Sequence, residues 1–195
     1  MEALRCWDGS ELPEKLKAEL DRETQRLEVA REQIRKLEGD RNQAMAQAEQ
    51  AGAEGDEPIH QVVKLAKLKG IGSKSAWLFV MEVFGWRKFK NGKKVGGYSG
   101  MTGTPYDSGE SQREQGISKA GNRRMRKMAV EIGWAWLRFQ PNSELSRWFH
   151  EKYANGGKRM RRIGIVAVAR KLLVVLWRYL EKGVMPKGAE LKAAT

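Results

Sequence analysis

The sequence predicts a mainly α-helical fold, in which a long coiled-coil-like helix precedes a small helical domain that contains a helix-hairpin-helix element. Apolar residues recur every three or four positions over most of the chain, which is the spacing of one helix face. No segment alternates polar and apolar residues convincingly, as a half-buried strand would. The segment AGAEGDEP combines two glycines, a proline and three acids, which mark a linker or a sharp turn. The predicted domains are therefore residues 1–56 and 57–195.

The first predicted element is a single helix from Glu11 to Gln47 with an apolar seam of the heptad type. The seam residues are Leu16, Leu20, Leu27, Ala30, Ile34, Leu37 and Ala44. Glu23 and Arg41 interrupt this seam. A helix with one narrow apolar stripe needs a partner, which could be a second copy of the chain, another helix of the same chain or a further domain. We expect self-association into a homo-oligomer through this helix.

Charge is distributed unevenly along the 195 residues, whose formal net charge is +13. Residues 1–60 hold 9 basic and 15 acidic side chains, a net charge of −6, whereas residues 61–195 hold 28 and 9, a net charge of +19. A basic excess of this size, with the cations grouped, predicts a polyanionic partner for the second part. A solvated basic surface is the alternative.

The composition argues against several other classes of protein. The single cysteine, Cys6, cannot form an internal disulfide and suits a reducing cytoplasm, and two isolated histidines argue against a zinc site. The first ten residues lack the pattern of a secretory signal. The most apolar segment, Ile163 to Leu180, is broken by Arg170 and Lys171 and is too charged to span a bilayer. We therefore expect no membrane as a partner.

The stretch LAKLKGIGSKSAWLFVMEVFG matches the helix-hairpin-helix pattern, with a Gly-x-Gly turn between two short helices. Gly70 and Gly72 would let the backbone approach a phosphate, and the free amides near Lys74 at the next helix start could donate to it. Binding of this kind recognises the nucleic-acid backbone and not the bases. An ordinary helical turn with glycine caps is the alternative.

Three further groups of basic residues accompany this element. One group lies in a glycine-rich segment from Trp86 to Ser118, which we predict to be a loop. The other two groups lie at the starts of predicted helices, one near Asn122 and one at Lys158. Cations at a helix N-terminus oppose the helix dipole, so these two groups indicate a bound anion such as phosphate. A solvated mobile loop is the alternative for the first group. The candidate nucleic-acid contacts are Lys90, Lys93 and Lys94, then Arg123, Arg124 and Arg126, then Lys158, Arg159, Arg161 and Arg162.

Ser108 is the candidate catalytic residue. It lies in the sequence DSGE, whose residue types favour a tight turn, so we expect the serine on a loop ahead of the basic helix. A hydroxyl beside a phosphate-binding surface is what nucleophilic attack on a nucleic-acid backbone needs. No histidine lies near it in the sequence, so a serine-hydrolase triad is unsupported. From these residues alone, a serine that only forms the turn is the alternative.

The order of these motifs resembles the C-terminal transposase domain of the insertion-sequence one-ten family, which are bacterial DNA recombinases guided by a bridge RNA. The resemblance rests on PYDSGESQREQGISKAGNRRMRKMAVEIGWAWLRFQPNSELSRWF and on GGKRMRRIGIVAVARKLLVVLWRYLEKG, and it covers roughly residues 60–192. The SG, GISK and GN elements are weak singly and specific in this order.

The resemblance implies a DNA transposase that uses Ser108 as the nucleophile of strand exchange, with DNA and a guide RNA as partners. Under it, Arg113, Lys119 and the three arginines after Asn122 hold the phosphate, and the protein acts in the bacterial cytoplasm at the nucleoid. Family members also carry an N-terminal domain similar to Holliday-junction resolvases, with four acidic metal ligands, and we expect that domain to be missing here. No cofactor is then expected within this chain, because Mg²⁺ is implied only for the missing domain. The isolated chain should be inactive in recombination.

A rival interpretation of the same residues is a non-catalytic helix-hairpin-helix protein that binds nucleic acid, or a decayed remnant of a transposase. Both interpretations share every basic group, so charge does not separate them.

Overall fold

The computed structural model describes residues 4–52, 57–108 and 111–193, with the backbone alone for residues 104–108 and 111–115. The mainly α-helical class is confirmed, because these ranges contain seven α-helices and one two-stranded antiparallel sheet. None of the helices found in them is long and apolar enough to cross a membrane. The elements are α1 (Glu14–Gln50), α2 (Pro58–Ala66), α3 (Ser73–Phe79), a π-helical turn (Val80–Phe84), α4 (Gly92–Tyr98), β1 (Gly103–Ser108), β2 (Ser111–Ile117), α5 (Arg123–Phe139), α6 (Glu144–Tyr153) and α7 (Lys158–Lys182).

The chain divides into two compact units, Met1–Ala46 and Gln47–Thr195. Almost all of α1 belongs to the first unit, and its last four residues group with the second. The domain boundary expected between residues 56 and 57 stays a prediction, because residues 53–56 lie outside the described ranges.

The long helix α1 begins and ends three residues later than the helix predicted from the heptad pattern. Ion pairs between Glu19 and Arg22 and between Glu23 and Arg26 lie along its surface. The seam residues Leu27 and Ile34 are 49% and 55% exposed in the chain. Such exposure of branched apolar side chains at heptad spacing is the condition under which a helix gains stability from a partner.

The core of the second unit forms where α5 packs on α7. Gly133 lies at the crossing, where a Cβ atom would be 3.3 Å from Ile165 Cδ1, so the helices approach closely at this point. The helical spacing of apolar residues from Met125 to Phe139 predicts that all of them face the core, and for Phe139 this prediction is wrong, since 51% of its surface is exposed. It is the last residue of α5, and its ring carries the Arg138 guanidinium instead of packing inward. The largest fully buried side chains of the two helices are Met125, Trp136, Leu172, Leu173 and Leu176.

A buried polar network ties the end of α5 to the C-terminal segment. Gln140, 1% exposed, donates from Nε2 to the carbonyl oxygens of Lys69 (3.0 Å) and Glu190 (2.8 Å) and accepts from the Glu190 amide at 2.8 Å. Trp136 Nε1 donates to Ser143 Oγ at 2.9 Å. The Lys69 ammonium beside Glu190 holds the pKa of that carboxyl below its usual range. Both the oxygen and the nitrogen of the Gln140 side-chain amide thus have hydrogen-bond partners, as a buried amide requires.

Candidate nucleic-acid interface

Two glycines hold the end of α4 against the start of α5. Gly100 has a φ of +67°, and a Cβ on Gly121 would lie 2.4 Å from both Gly100 N and the Tyr98 carbonyl oxygen. The Asn122 amide donates to the Tyr98 carbonyl at 2.8 Å, and the Lys119 amide donates to the Gly100 carbonyl at 3.0 Å. We call the two segments, residues 98–102 and 118–122, the glycine junction. It fixes where α5 begins, with Asn122 Oδ1 accepting from the Met125 amide as the N-cap.

Four predicted cations surround the glycine junction and differ in their partners. Arg126 is half-buried and donates from Nη1 to the Ser99 carbonyl at 3.0 Å, so it fastens α5 to the end of α4. Arg124 pairs with Glu82 at 2.8 Å. Lys119 and Arg123 are exposed and make no ion pair within the described ranges. Near the start of α5, these two cations therefore have no carboxylate partner among the described side chains, and the first turn of the helix holds no acidic residue.

The basic group of Lys90, Lys93 and Lys94 lies at the start of a helix, α4, where a loop was expected. Asn91 caps α4 by accepting from the Lys94 amide at 3.1 Å. A Cβ on Gly92 would lie 2.7 Å from Val174 Cγ1, and one on Gly96 would lie 3.1 Å from Arg170 Nε, so these glycines let α4 rest directly on α7. The loop prediction was wrong because glycine content, which disfavours a helix, is outweighed here by this packing. The exposed cations carried by this segment are Lys90, Lys93 and Lys94.

An antiparallel hairpin follows the glycine junction in place of the predicted structureless loop. Strands β1 and β2 pair from Gly103 with Ile117 to Ser108 with Ser111. Ser108 is therefore the last residue of β1, and the strand rise puts it about 17 Å along the strand from Gly103. The side chains of Ser108 and Arg113 lie outside the described part, so their predicted roles stay predictions.

The fourth basic group lies apart from the glycine junction. The start of α5 is tied to α4, which rests on Arg170 and Val174, whereas Gly133 of α5 meets α7 at Ile165. The opening turns of α7 therefore lie on the far side of that crossing. The nearest of the four cations in this group lies about 12 Å from Arg170 along the helix. All four are exposed, namely Lys158, Arg159, Arg161 and Arg162.

The two glycines of the turn between α2 and α3 have structural roles within the protein. Gly70 has a φ of +82°, and a Cβ there would lie 3.2 Å from the Ala135 carbonyl oxygen, so its close backbone approach is to α5. Gly72 caps α3 through reciprocal bonds with Ser75 Oγ, at 3.1 and 2.9 Å. Lys74 is exposed on the first turn of α3. Phosphate contact by these three residues stays a prediction, since the glycine conformations already have a structural explanation.

The C-terminal segment contacts the same turn, a feature that the sequence patterns did not reveal. The Lys69 amide donates to the Glu190 carbonyl at 3.1 Å, and the Lys192 amide donates to the Lys67 carbonyl at 2.8 Å. Lys192 Nζ also donates to the Ile71 carbonyl at 2.8 Å. Residues 183–193 carry no helical or strand periodicity, so no local signal could have placed them here.

The side chains that the structure describes do not gather into a metal site. Within the described ranges, no three His, Cys, Asp or Glu side chains come together in a group that could hold an ion. A magnesium ion needs oxygen ligands gathered around it. No step of the chemistry considered below is therefore assigned to a metal held by these residues.

Residues 63–149 match the model of the "Transposase IS116/IS110/IS902 family", and the match includes the glycine junction, the hairpin and α5. This part of the chain is similar to the transposases of that family. The resemblance inferred from the SG, GISK and GN elements is thereby confirmed.

Two proteins of Sinorhizobium fredii (strain NBRC 101917 / NGR234) extend the similarity beyond residues 63–149. "Putative transposase y4rJ" is 40% identical to this chain over 98% of the chain and 49% of its own length. "Putative transposase y4qE" is 34% identical over 41% of the chain and 20% of its own length. The chain thus spans about half the length of y4rJ and a smaller part of y4qE.

Proposed function

We propose that this chain binds the phosphate backbone of DNA through the cations around the glycine junction and supplies Ser108 as the nucleophile of DNA strand exchange. The observation that carries the proposal is the pair of exposed cations, Lys119 and Arg123, at a helix start beside the hairpin that bears Ser108. The similarity to transposases gives this arrangement its chemical context.

The electrostatics of α5 support a bound anion. Each cation in the first turn of a helix opposes the helix dipole and costs about 0.3–1 kcal/mol at an exposed position. Arg123, Arg124 and Arg126 all lie in that region, and only Arg124 has a carboxylate partner within the described ranges. A phosphate at this position would replace repulsion by the dipole with attraction between opposite charges, and it would accept hydrogen bonds from the free amides of the first turn.

The cations on α4 extend the same proposed surface. Arg126 and Asn122 bond the end of α4, so the segment that carries Lys93 and Lys94 is held next to the start of α5. A nucleic-acid backbone that contacts Arg123 can therefore continue along α4. The cations that open α7 form a second, separate contact, to a more distant part of the same DNA or to a guide RNA.

Ser108 would act by transesterification. Its hydroxyl loses a proton, the oxygen attacks the phosphorus of a DNA phosphodiester, and one phosphorus–oxygen ester bond to deoxyribose breaks, which releases a sugar hydroxyl. Attack by a second sugar hydroxyl on the serine ester reverses the step and joins a new strand. Lys119 and Arg123 lie near the opposite end of the hairpin, next to Ile117, so they would hold other phosphates of the same DNA and thereby position the strand for attack. The number of phosphate esters is unchanged, so no nucleotide cofactor is needed.

Salt titration tests the binding half of this proposal. Five contacts, from Lys90, Lys93, Lys94, Lys119 and Arg123, predict that the logarithm of duplex affinity falls by about 4–5 units per logarithmic unit of salt. The double variant Lys119→Gln/Arg123→Gln should reduce that slope by about 2. The matched control Lys15→Gln/Lys17→Gln, which removes two exposed lysines of α1, should leave it unchanged. Fluorescence anisotropy at several salt concentrations measures all three, and a flat response of the wild type would refute the proposal.

We further propose that α1 joins two copies of the chain through its apolar seam. The exposed seam residues support this, because a helix that displays Leu16, Leu27, Ile34 and Leu37 leaves apolar area in water that a second helix would cover.

Charge introduced into the seam should abolish that association. The double variant Leu27→Asp/Ile34→Asp would place carboxylates between two helices, and an unpaired buried charge outweighs the apolar contacts. Sedimentation velocity should show an oligomer for the wild type and a monomer for the variant. Val29→Asp introduces one such carboxylate at an exposed position off the seam and should sediment like the wild type. A monomeric wild type would overturn the proposed interface.

A further inference from the structure

A stack of aromatic rings runs from the core of the second unit to its surface beside α4. Its inner end is Phe79, which is fully buried, with Phe84 at a ring-centroid distance of 6.2 Å. Phe89 lies 6.3 Å from Phe84, and Tyr98 lies 5.8 Å from Phe89. Tilted and edge-to-face contacts at these distances are favourable, so the outer rings are held by the core.

The guanidinium of Arg87 closes the outer end of this stack between two rings. Its Cζ lies 4.5 Å from the centre of the Tyr98 ring and 4.8 Å from the centre of the Trp86 ring. The Arg87 Nε atom is buried and has no hydrogen-bond partner in the described part of the chain. Arg87 thus contributes its flat face to the rings, while one of its donors stays unpaired at a cost in stability.

Trp86 is the outermost ring and 59% of its surface is exposed. Its backbone is held on both sides, because the Gly85 amide donates to the Val80 carbonyl at 2.8 Å and the Arg87 amide donates to the Val83 carbonyl at 3.0 Å. The exposed Lys90 follows four residues later, and the exposed Lys88 pairs with Glu181 at 3.8 Å. A large ring that is fixed on one face, open on the other and flanked by positive charge has the features of a surface on which nucleic-acid bases stack.

We propose that the open face of Trp86 stacks on an unpaired nucleobase, with Arg87 and Tyr98 fixing the indole from behind and Lys90 facing an adjoining phosphate. This inference rests on the proposed function, and it adds that the bound nucleic acid presents an unpaired base next to α4. Bases inside a duplex already stack on their neighbours, so only a single-stranded or unpaired segment can use this ring.

The test measures the affinity of the full-length chain for three fluorescein-labelled probes of equal phosphate number: a single strand, the same strand with abasic sites, and a duplex. The single strand is used as DNA and as RNA of the same sequence. Wild type should bind the base-containing strand more tightly than the abasic one. Trp86→Ala should lower the affinity for the base-containing strand by about tenfold and leave the affinities for the abasic strand and the duplex unchanged. Trp86→Phe should restore part of the loss.

Trp7→Ala is the matched control, because Trp7 is 99% exposed and lies in the first unit. It should bind every probe as the wild type does. A loss in both the DNA and RNA arms assigns the ring to any unpaired base, and a loss in one arm identifies the nucleic acid. If wild type binds abasic and base-containing strands equally, or if Trp86→Ala weakens all probes alike, base stacking is overturned while salt-dependent duplex binding leaves the proposed function standing. Absence of binding to every probe would remove both.

Discussion

Substitution of Ser108 by alanine will eliminate the covalent protein–DNA adduct that the proposed function predicts for the wild type when an acidic domain and a guide RNA from a related transposase are supplied. The adduct is the serine phosphodiester, which cannot form without the hydroxyl oxygen. Binding of duplex DNA should change little, because one hydroxyl contributes little to an interface governed by Lys119, Arg123 and the α4 lysines. Denaturing gel electrophoresis with labelled DNA measures the adduct, and anisotropy measures binding.

Ser111 offers a matched control for that experiment, since it pairs directly with Ser108 across the hairpin. Ser111→Ala removes a hydroxyl at the same end of the hairpin and should leave both the adduct and DNA binding intact. An adduct that persists in the Ser108→Ala protein would show that another residue is the nucleophile. Loss of the adduct in both variants would instead indicate that the end of the hairpin acts by its shape.

Substitution of Gly121 by alanine will destabilise the second unit by about 3 kcal/mol or more, since the added methyl group overlaps backbone atoms that cannot move independently. The new Cβ would lie 2.4 Å from Gly100 N and from the Tyr98 carbonyl oxygen. Relief requires the end of α4 and the start of α5 to separate, which also breaks the bond from Arg126 to the Ser99 carbonyl. Urea denaturation followed by circular dichroism gives the change in unfolding free energy.

Gly97→Ala is the comparison for the Gly121 variant. Gly97 lies in α4, and a Cβ there would meet no atom within 4 Å. Alanine favours a helix over glycine by up to about 1 kcal/mol, so this variant should match or exceed the wild type in stability. Equal destabilisation by both substitutions would mean that the close approach at the glycine junction is not what fixes α5.

The parts of the fold that were predicted from sequence are those with strong local signals. The last helix, α7, begins at the predicted residue Lys158, and its long apolar pattern continues to Lys182, where Gly183 follows it as a left-handed cap. The start of α5 was predicted from Asn122, whose side chain forms the N-cap. In contrast, α4 contains three glycines in seven residues, and its helix depends on contact with α7, which no local pattern encodes.

The candidate site was predicted by residue type, and the structure adds contacts within the protein that the sequence did not predict. Arg126 donates to the Ser99 carbonyl and the Gly70 backbone meets α5, while the expected phosphate contacts of both residues stay predictions. Both contacts within the protein depend on residues distant in sequence, whose proximity follows only from the packed helices. Trp86 was missed altogether, because an exposed ring and a buried one have the same sequence signal until the fold assigns their surroundings.

The contact between the C-terminal segment and the α2–α3 turn bears on how the protein folds during synthesis. The Lys192 side chain and the Ile71 carbonyl that it bonds are 121 positions apart in the chain. Contacts of such high sequence separation form late and slow folding, because a large loop of chain must close first. The α2–α3 turn therefore acquires its contacts with Glu190 and Lys192 only after that segment has been synthesised and has left the ribosome, so these contacts close after the helices that lie between the two segments in the sequence.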